Sequence, residues 1–516
     1  MLKTVRFRPA FFLGLAALLL MAWSDRFVQD QAFVSFEYAR NLAEGRGLVW
    51  SPAQPAAAPP SLAWALLMAA GIALGADPVE FSMAAGVVCL LAVLWVTWRL
   101  AMRTLGSRGQ ALLALIVIGT NYSFSAWSTG GQETILQTLA AVAMIGAAGA
   151  IIDAGWPPRP SSLAGASALM GLGLLARADS AVFAGLAGLA LAAWLWRRSP
   201  TRGGRHALVW LCLPFLAIAG GWLAWRRAYG GAILPAVHGW AGFGDTLGHG
   251  VFYLYSFYLS YWLVWVPFLL LPALPRLFAA RASLRLTAAA AVLWPAFLIG
   301  SGGDTMEYRQ VLPAFPFLVI LILWVLFQYV EQRSIRHALL LLIFAGSVHH
   351  ALTFHGEGGV ERLGIDSVNE LAARVSPGDG DWVNIGRRLG RIFSRRPVVI
   401  ATSSGAVAYY SRLETVAMDW DSSELAALRE RGVNLVLGEP VLVGRDQLPG
   451  RAGTDFVHFM IYEPMMKSPP PGIRLVYIPM GGEHYLEALY LVPSPVVDEA
   501  IEAGGWVAAP LPPGEI

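Results

Sequence analysis

Apolar runs alternate with short polar breaks over the first 353 residues, and there the alternation stops. A helix crosses a bilayer with roughly 17–25 apolar residues. Eleven runs of about that kind, several of them short, lie near 9–23, 82–101, 110–126, 133–152, 162–176, 180–196, 207–225, 251–273, 285–300, 311–329 and 337–353. A further stretch, Ser61–Leu74, is shorter and follows Pro59-Pro60. Its status follows from the arginines, because basic residues concentrate in cytoplasmic loops. Lys3, Arg6 and Arg8 start the chain inside. If Ser61–Leu74 spans, Arg99, Arg103 and Arg108 fall outside, and so do Arg197, Arg198, Arg202 and Arg205. If it lies at the outer interface, all of these fall inside, together with Arg276, Arg281, Arg285, Arg333 and Arg336. The pattern predicts eleven spans plus one interfacial or re-entrant helix, for which a proline pair is a suitable start. No small-x-small cleavage site follows the apolar stretch Ala10–Trp23, so it reads as an uncleaved first helix.

This threading places Asp25–Pro60, Asn121–Glu133, Ala176–Ser180, Arg226–Gly250 and Gly300–Gln310 outside, with everything after about residue 354. The predicted domains are a membrane domain, 1–353, whose outer loop 24–81 carries the interfacial helix, and an extracytoplasmic domain, 354–516. The tail has ordinary polarity and no span. Pro397–Thr402 reads as a buried strand followed by a short helix through Tyr410. Val433–Gly438 and Leu475–Pro479 read as further strands. Trp382, Ile385, Leu389 and Phe393 recur at helical spacing. A small α/β domain fits that alternation. The Pro-rich end from about Val507 reads as frayed. The fold class is therefore an α-helical polytopic membrane protein with a C-terminal extracytoplasmic α/β domain.

Composition agrees with the pattern. The chain has 516 residues, 56% hydrophobic and 14% charged, with a mean hydropathy of +0.55. Soluble domains rarely look like this. The basic charge is nearly all arginine in short loops, and no basic-aromatic stripe or finger spacing points to nucleic acid. Cys89 and Cys212 both sit inside apolar runs. They exclude a cysteine-based metal site and speak against a disulfide framework.

Acidic residues gather at the outer end, and carboxylates beside lipid usually mark function. Asp30 stands at the start of a helical segment, with Gln31 and Ser35, and Glu37 and Arg40, as helical neighbours. It either caps its own helix or acts as a base of raised pKa at the mouth of an apolar cavity. Gly302-Gly303-Asp304 opens a loop that also carries Arg309. The pair either stabilises the loop or clamps an acceptor hydroxyl and a lipid phosphate. Glu133 follows two glycines at the entrance of a span, where it caps the helix or joins a site. Arg177 and Asp179 pair with each other or with Glu133. Arg226 and Arg227, with Tyr229, end a span on the outer side, against the charge trend. They suit an anionic headgroup or simple snorkelling. His238 and His249 in the same loop are assigned no metal.

Asp30-Gln31-Ala32-Phe33-Val34-Ser35-Phe36-Glu37-Tyr38-Ala39-Arg40-Asn41-Leu42-Ala43-Glu44-Gly45-Arg46-Gly47-Leu48-Val49 resembles the first outer loop of the GT-C superfamily of membrane glycosyltransferases. It is most similar to the mycobacterial terminal arabinofuranosyltransferase-like group. Shorter similarities follow in order: Gly131-Gln132-Glu133-Thr134, Ala176-Arg177-Ala178-Asp179, Gly302-Gly303-Asp304-Thr305-Met306 with Arg309, and Gly405-Ala406-Val407-Ala408-Tyr409-Tyr410-Ser411. The resemblance implies a polyprenyl-phospho-sugar donor, with arabinofuranose as a candidate sugar, a glycan or glycolipid acceptor, and membrane lipid as surroundings. It implies a bacterial inner membrane protein with a cytoplasmic N-terminus and a periplasmic tail domain. Asp30 would activate the acceptor hydroxyl. Gln31, Glu37, Arg40, Glu133, Arg177, Asp179, Asp304 and Arg309 would contact substrate, and Arg226, Arg227 and Arg309 would hold the donor phosphate.

Departures accompany the resemblance. Gln31 replaces the family's second aspartate, which weakens the case for a divalent cation as cofactor. Ala56-Ala57-Ala58-Pro59-Pro60-Ser61 and Pro235-Ala236-Val237 replace polar family segments. A catalytically degenerate homologue that binds a lipid carrier or scaffolds an envelope complex is the alternative to an enzyme. A transporter fits less well, since transporters favour ionisable groups near the midplane.

Overall fold

A computed structural model describes residues 9–51, 59–198, 202–228, 243–354, 365–376, 381–394, 396–418, 425–448, 472–503 and 505–510. The chain forms two compact units. One comprises Met1–Val28 with Pro60–Glu370, and the other Gln29–Pro59 with Leu371–Ile516. The segment Gln29–Pro59 thus joins the C-terminal residues, a long-range pairing that no local pattern announces.

The first unit is helical. Among the described residues, six helices are long and apolar enough to cross a membrane: Pro78–Thr104, Thr134–Ala154, Ala178–Arg197, His206–Ala228, Ala282–Ser301 and Arg333–Thr353. Their outward side chains are apolar, with Leu189 74% and Leu341 68% exposed. In water that would be costly; beside lipid it is the favoured arrangement. Pro9–Ser24, Arg108–Gly119, Pro160–Ala176 and Phe315–Tyr329 are shorter apolar helices. Leu62–Ala73 has 12 residues, about 18 Å at 1.5 Å per residue, too short for a 30 Å hydrocarbon core. Ser61 caps it by accepting from the Trp64 N–H at 3.1 Å.

Two predicted spans are broken. The run 110–126 stops at Gly119, and Asn121 caps a new helix, Tyr122–Trp127, by accepting from the Phe124 N–H at 3.0 Å. The run 251–273 divides between Phe243–Ser260 and short helical pieces from Val266 to Phe278. Trp262 between them has φ 55°, and Pro267, Pro272 and Pro275 each restart a helix at its first turn. His249 lies on the first of these helices rather than in a loop, whereas Tyr229, Pro235-Ala236-Val237, His238 and Ala56–Ala58 lie outside the described residues.

Loops that charge counting assigns to one side do meet at one end of this unit. Asp153 Oδ1 accepts from the Ala282 N–H at 2.8 Å, joining two turns to which charge counting gives the same side. At the other end the Trp127 indole donates to the Glu307 carbonyl at 2.7 Å. Phe183 and Trp294 stack between the helices with centroids 4.8 Å apart.

The second unit carries a seven-stranded mixed sheet among the described residues. Its strands are β1 Val399–Thr402, β2 Glu414–Ala417, β3 Leu435–Gly438, β4 Leu442–Gly444, β5 Arg474–Gly481, β6 His484–Tyr490 and β7 Val507–Pro510. The order is β2-β1-β3-β6-β5-β7, with β4 also on β6. β1 runs parallel to β2 and β3, and the remaining pairings are antiparallel. Val507–Pro510, expected to fray, instead pairs with β5. Helix Trp382–Ile392 begins at Asp381, whose Oδ1 accepts from the Asn384 N–H at 2.7 Å. It buries Trp382, Ile385, Gly386 and Leu389 along one stripe.

Candidate functional site

In the first unit the polar residues form a connected network. Arg177 ends helix Pro160–Ala176 in extended backbone. Its Nη1 donates to Glu133 Oε1 at 3.1 Å, and its Nη2 to Asp179 Oδ2 at 2.9 Å. Gln137, one turn beyond Glu133 on helix Thr134–Ala154, donates to Asp179 Oδ1 at 2.6 Å. Glu133 stands at the start of that helix but makes no side-chain cap; its carboxylate serves Arg177 instead. Burial disfavours the Arg177 charge, but Asp179 and Glu133 more than offset this, and its pKa lies above the usual guanidinium range.

Asp304 and Arg309 complete the network. Arg309 Nε donates to Asp304 Oδ2 at 2.9 Å, and its Nη1 to Gln132 Oε1 at 2.6 Å. Gln132 is the sequence neighbour of Glu133, and the Asp304 charge acts on Arg177. The structure therefore brings Glu133, Arg177, Asp179, Asp304 and Arg309 together. Arg177 sits between two carboxylates and Arg309 between one carboxylate and the Gln132 amide oxygen, in surroundings where charge-assisted bonds are strong. Arg226 is buried in the last turn of Arg202–Ala228, 5.2 Å from the Trp222 ring. Arg227 beside it is exposed.

Sequence reading missed Glu307. It is fully buried, and its Oε1 accepts from Ser123 Oγ at 2.8 Å and pairs with His350 Nε2 at 2.9 Å. Its Oε2 accepts from the Val368 N–H at 2.8 Å. The next residue, Tyr308, has φ 44°, a left-handed conformation uncommon outside glycine. Glu307 thus pins the turn that aims Asp304 and Arg309. Its place between two motif residues was the available signal.

In the second unit Asp30 does not cap its own helix, Ala32–Ala43. Gln31 holds that position without a side-chain cap. The Asp30 carboxylate instead receives the N-terminus of helix Gly405–Ser411. Oδ1 accepts from Ser404 Oγ at 2.8 Å and the Ala406 N–H at 2.9 Å, and Oδ2 from the Gly405 N–H at 2.9 Å. Gly405 is required there, because a Cβ would stand 2.6 Å from the Asp30 carbonyl oxygen. A carboxylate offers about four lone-pair sites, so one on Oδ2 stays open. Burial raises the Asp30 pKa to about 6, against the three hydrogen bonds and Arg374, which lower it.

The other motif residues of this unit hold backbone. Arg40 binds both Glu37 oxygens, donates to the Tyr409 carbonyl at 2.6 Å and lies 4.5 Å from that ring. Asn41 donates to the Val49 and Trp50 carbonyls at 2.9 and 3.0 Å. Gln31 is exposed. Among the described residues no group of three or more His, Cys, Asp or Glu is arranged for a metal ion.

No family profile matches the chain, and no curated protein matches it in sequence. Solved structures do match in shape. ArnT from Cupriavidus metallidurans, bound to undecaprenyl phosphate, aligns over 92% of this chain and 97% of its own, with a TM-score of 0.55 at 13% identity. The chain has the GT-C fold. Mycobacterial arabinofuranosyltransferase AftD aligns over 95% of this chain but 40% of its own, with a TM-score of 0.51 at 14% identity. The apo oligosaccharyltransferase of Archaeoglobus fulgidus aligns over 92% of this chain and 74% of its own, with a TM-score of 0.50 at 10% identity. The GT-C likeness extends through helical unit and C-terminal unit alike.

Proposed function

We propose that the chain is a membrane glycosyltransferase that moves a sugar from a polyprenyl-phosphate donor to an acceptor on the outer face of a bacterial inner membrane. The observation that carries this reading is the shape match to ArnT over 92% of this chain and 97% of that one, in a structure of ArnT holding undecaprenyl phosphate. Asp30 is the general base. With a pKa near 6, it is ionised at neutral pH and still basic enough to take a hydroxyl proton, through the open lone pair of Oδ2. The freed acceptor oxygen attacks the anomeric carbon, the bond to the phosphate oxygen breaks, and the polyprenyl phosphate leaves as an anion. Arg309 stabilises that anion as it forms, with Arg226 and Arg227 as further phosphate contacts. Asp304, Glu133, Asp179 and Arg177 orient the arginines and the acceptor, and Glu37, Arg40 and Gln31 shape the approach to Asp30. Arabinofuranose is the donor sugar favoured by the first-loop motif.

The experiment is sugar transfer by purified protein in nanodiscs, from radiolabelled polyprenyl-phospho-sugars to envelope glycan fragments, with parent chain and Asp30→Asn. Transfer by the parent and its loss in the variant support the reading. A carrier that binds the parent without any turnover supports the degenerate homologue instead, a reading favoured by Gln31 and by the three donors that occupy Asp30.

A further inference from the structure

At the far end of β1 from Asp30, the second unit contains a cavity of about 560 Å³ lined by Arg387, Arg391, Arg396 and Arg412 together with Tyr410 and Glu414. The loop Ser403–Gly405, which meets Asp30, leaves the C-terminal end of β1. Arg396 and Arg412 instead precede β1 and its parallel neighbour β2, so the cavity opens at their N-terminal ends. Four residues of strand separate the two places, roughly 13 Å.

The local fold gathers these arginines. Helices Trp382–Ile392 and Gly405–Ser411 pack closely, because a Cβ on Gly390 would stand 2.7 Å from the Ser411 carbonyl oxygen. Arg387 and Arg391 are one turn apart on the exposed face of the first helix, and Arg412 follows the second in left-handed backbone at φ 55°. Arg387 lies 4.8 Å from the Tyr410 ring. Arg396 donates to Glu499 at 3.2 Å. The Arg391 and Arg412 side chains make no ion pair or hydrogen bond among the described residues. Of the four guanidinium groups Arg396 is matched by Glu499, and the other three face a single lining carboxylate, Glu414, in a space of the size that holds small ligands.

We propose that this cavity binds an anionic saccharide, its phosphate or carboxylate held by Arg387, Arg391 and Arg412 and its ring against Tyr410. Guanidinium forks match both anions. As a contact for the charged part of the acceptor, the site rests on the transferase reading above.

The test uses the full chain in zwitterionic nanodiscs, with calorimetric titration of trigalacturonate, neutral trigalactose and inorganic phosphate. Parent chain is compared with Arg387→Gln/Arg391→Gln and, separately, with Arg412→Gln. Trigalacturonate is expected to bind the parent and to bind each variant at least tenfold more weakly, while trigalactose does not bind. The proposal falls if trigalacturonate does not bind, if folded variants bind it as the parent does, if trigalactose binds equally well, or if phosphate alone binds as tightly. Turnover is measured separately. A chain that binds trigalacturonate but transfers no sugar keeps the anion site and loses its role as an acceptor contact, whereas a chain that transfers without binding loses this proposal alone.

Discussion

Asp30 is where side-chain chemistry and fold meet. Its pKa, raised to about 6, has consequences of opposite sign. For transfer, the ionised form is the base, so kcat/KM should climb with pH through about 6 and level off above it. A pH–rate profile checks this, and Asp30→Asn should lose that limb along with at least about 100-fold in rate. For stability, the folded state holds the proton more tightly than the unfolded chain. The Asp30 contribution is thus fully present below about pH 4 and is lost as pH rises through 6. Thermal unfolding of parent and Asp30→Asn across that window should converge above pH 6 more than the capping loss alone would allow. Arg177 carries a different prediction. Truncation to Ala leaves Glu133 and Asp179 facing each other, each at most 15% exposed in its side chain, and should destabilise by about 3–5 kcal/mol. Guanidine denaturation in detergent measures it, and Arg177→Lys should recover only part, since a single ammonium cannot reproduce the fork. Asp30, Glu133 and Arg177 were legible as motif positions. The pairing of Arg177 with Asp179 and Glu133 was readable as well, but the partners of Asp30 were not, because Ser404 lies 374 residues away.

At the scale of elements, two connections decide geometry. Helix Gly405–Ser411 meets Asp30 because residue 405 has no side chain. Gly405→Ala should push the carbonyl of Asp30 or the helix aside, cost about 1–3 kcal/mol as overpacking does, and lengthen all three hydrogen bonds. A loss of thermal stability together with a shifted pH limb would be the signature; a shift in neither would show that the close approach is unimportant. The Gly302–Val311 turn depends on Glu307, and Glu307→Gln should loosen Arg309 without touching it. The expected effect is a raised KM for the lipid donor at nearly unchanged protein level. Elements with uniform patterns were readable: β1, β3 and β5 follow apolar runs, and the amphipathic helix Trp382–Ile392 follows its spacing. β6 was missed because His484, Glu487 and Tyr490 interrupt its apolar residues, and β7 because prolines follow it. The spans near 110–126 and 251–273 broke where Asn121 and three prolines outrank hydropathy.

The whole molecule tests the arginine count most directly. One decision, that Ser61–Leu74 does not span, sets the side of every later loop. Its helix has 12 residues, the same length as Arg108–Gly119, so the decision rests on the arginines; loops of like parity meet within the first unit, as Asp153 does with Ala282. Meeting at one end fixes parity but not direction, so direction needs a reagent that sees one side. In a chain with Cys89 and Cys212 replaced by alanine, Gly244→Cys and Gly109→Cys place thiols at two sites where a Cβ finds no atom within 3.8 Å. The charge rule puts residue 244 outside and residue 109, beside Arg108, inside. A membrane-impermeant maleimide added to intact cells should therefore label the first and spare the second until the membrane is opened. The reverse pattern would place the Glu133–Arg177–Asp304 network on the cytoplasmic side, where a chain-bound acceptor of the outer envelope cannot reach it, and would overturn the proposed transfer together with the topology.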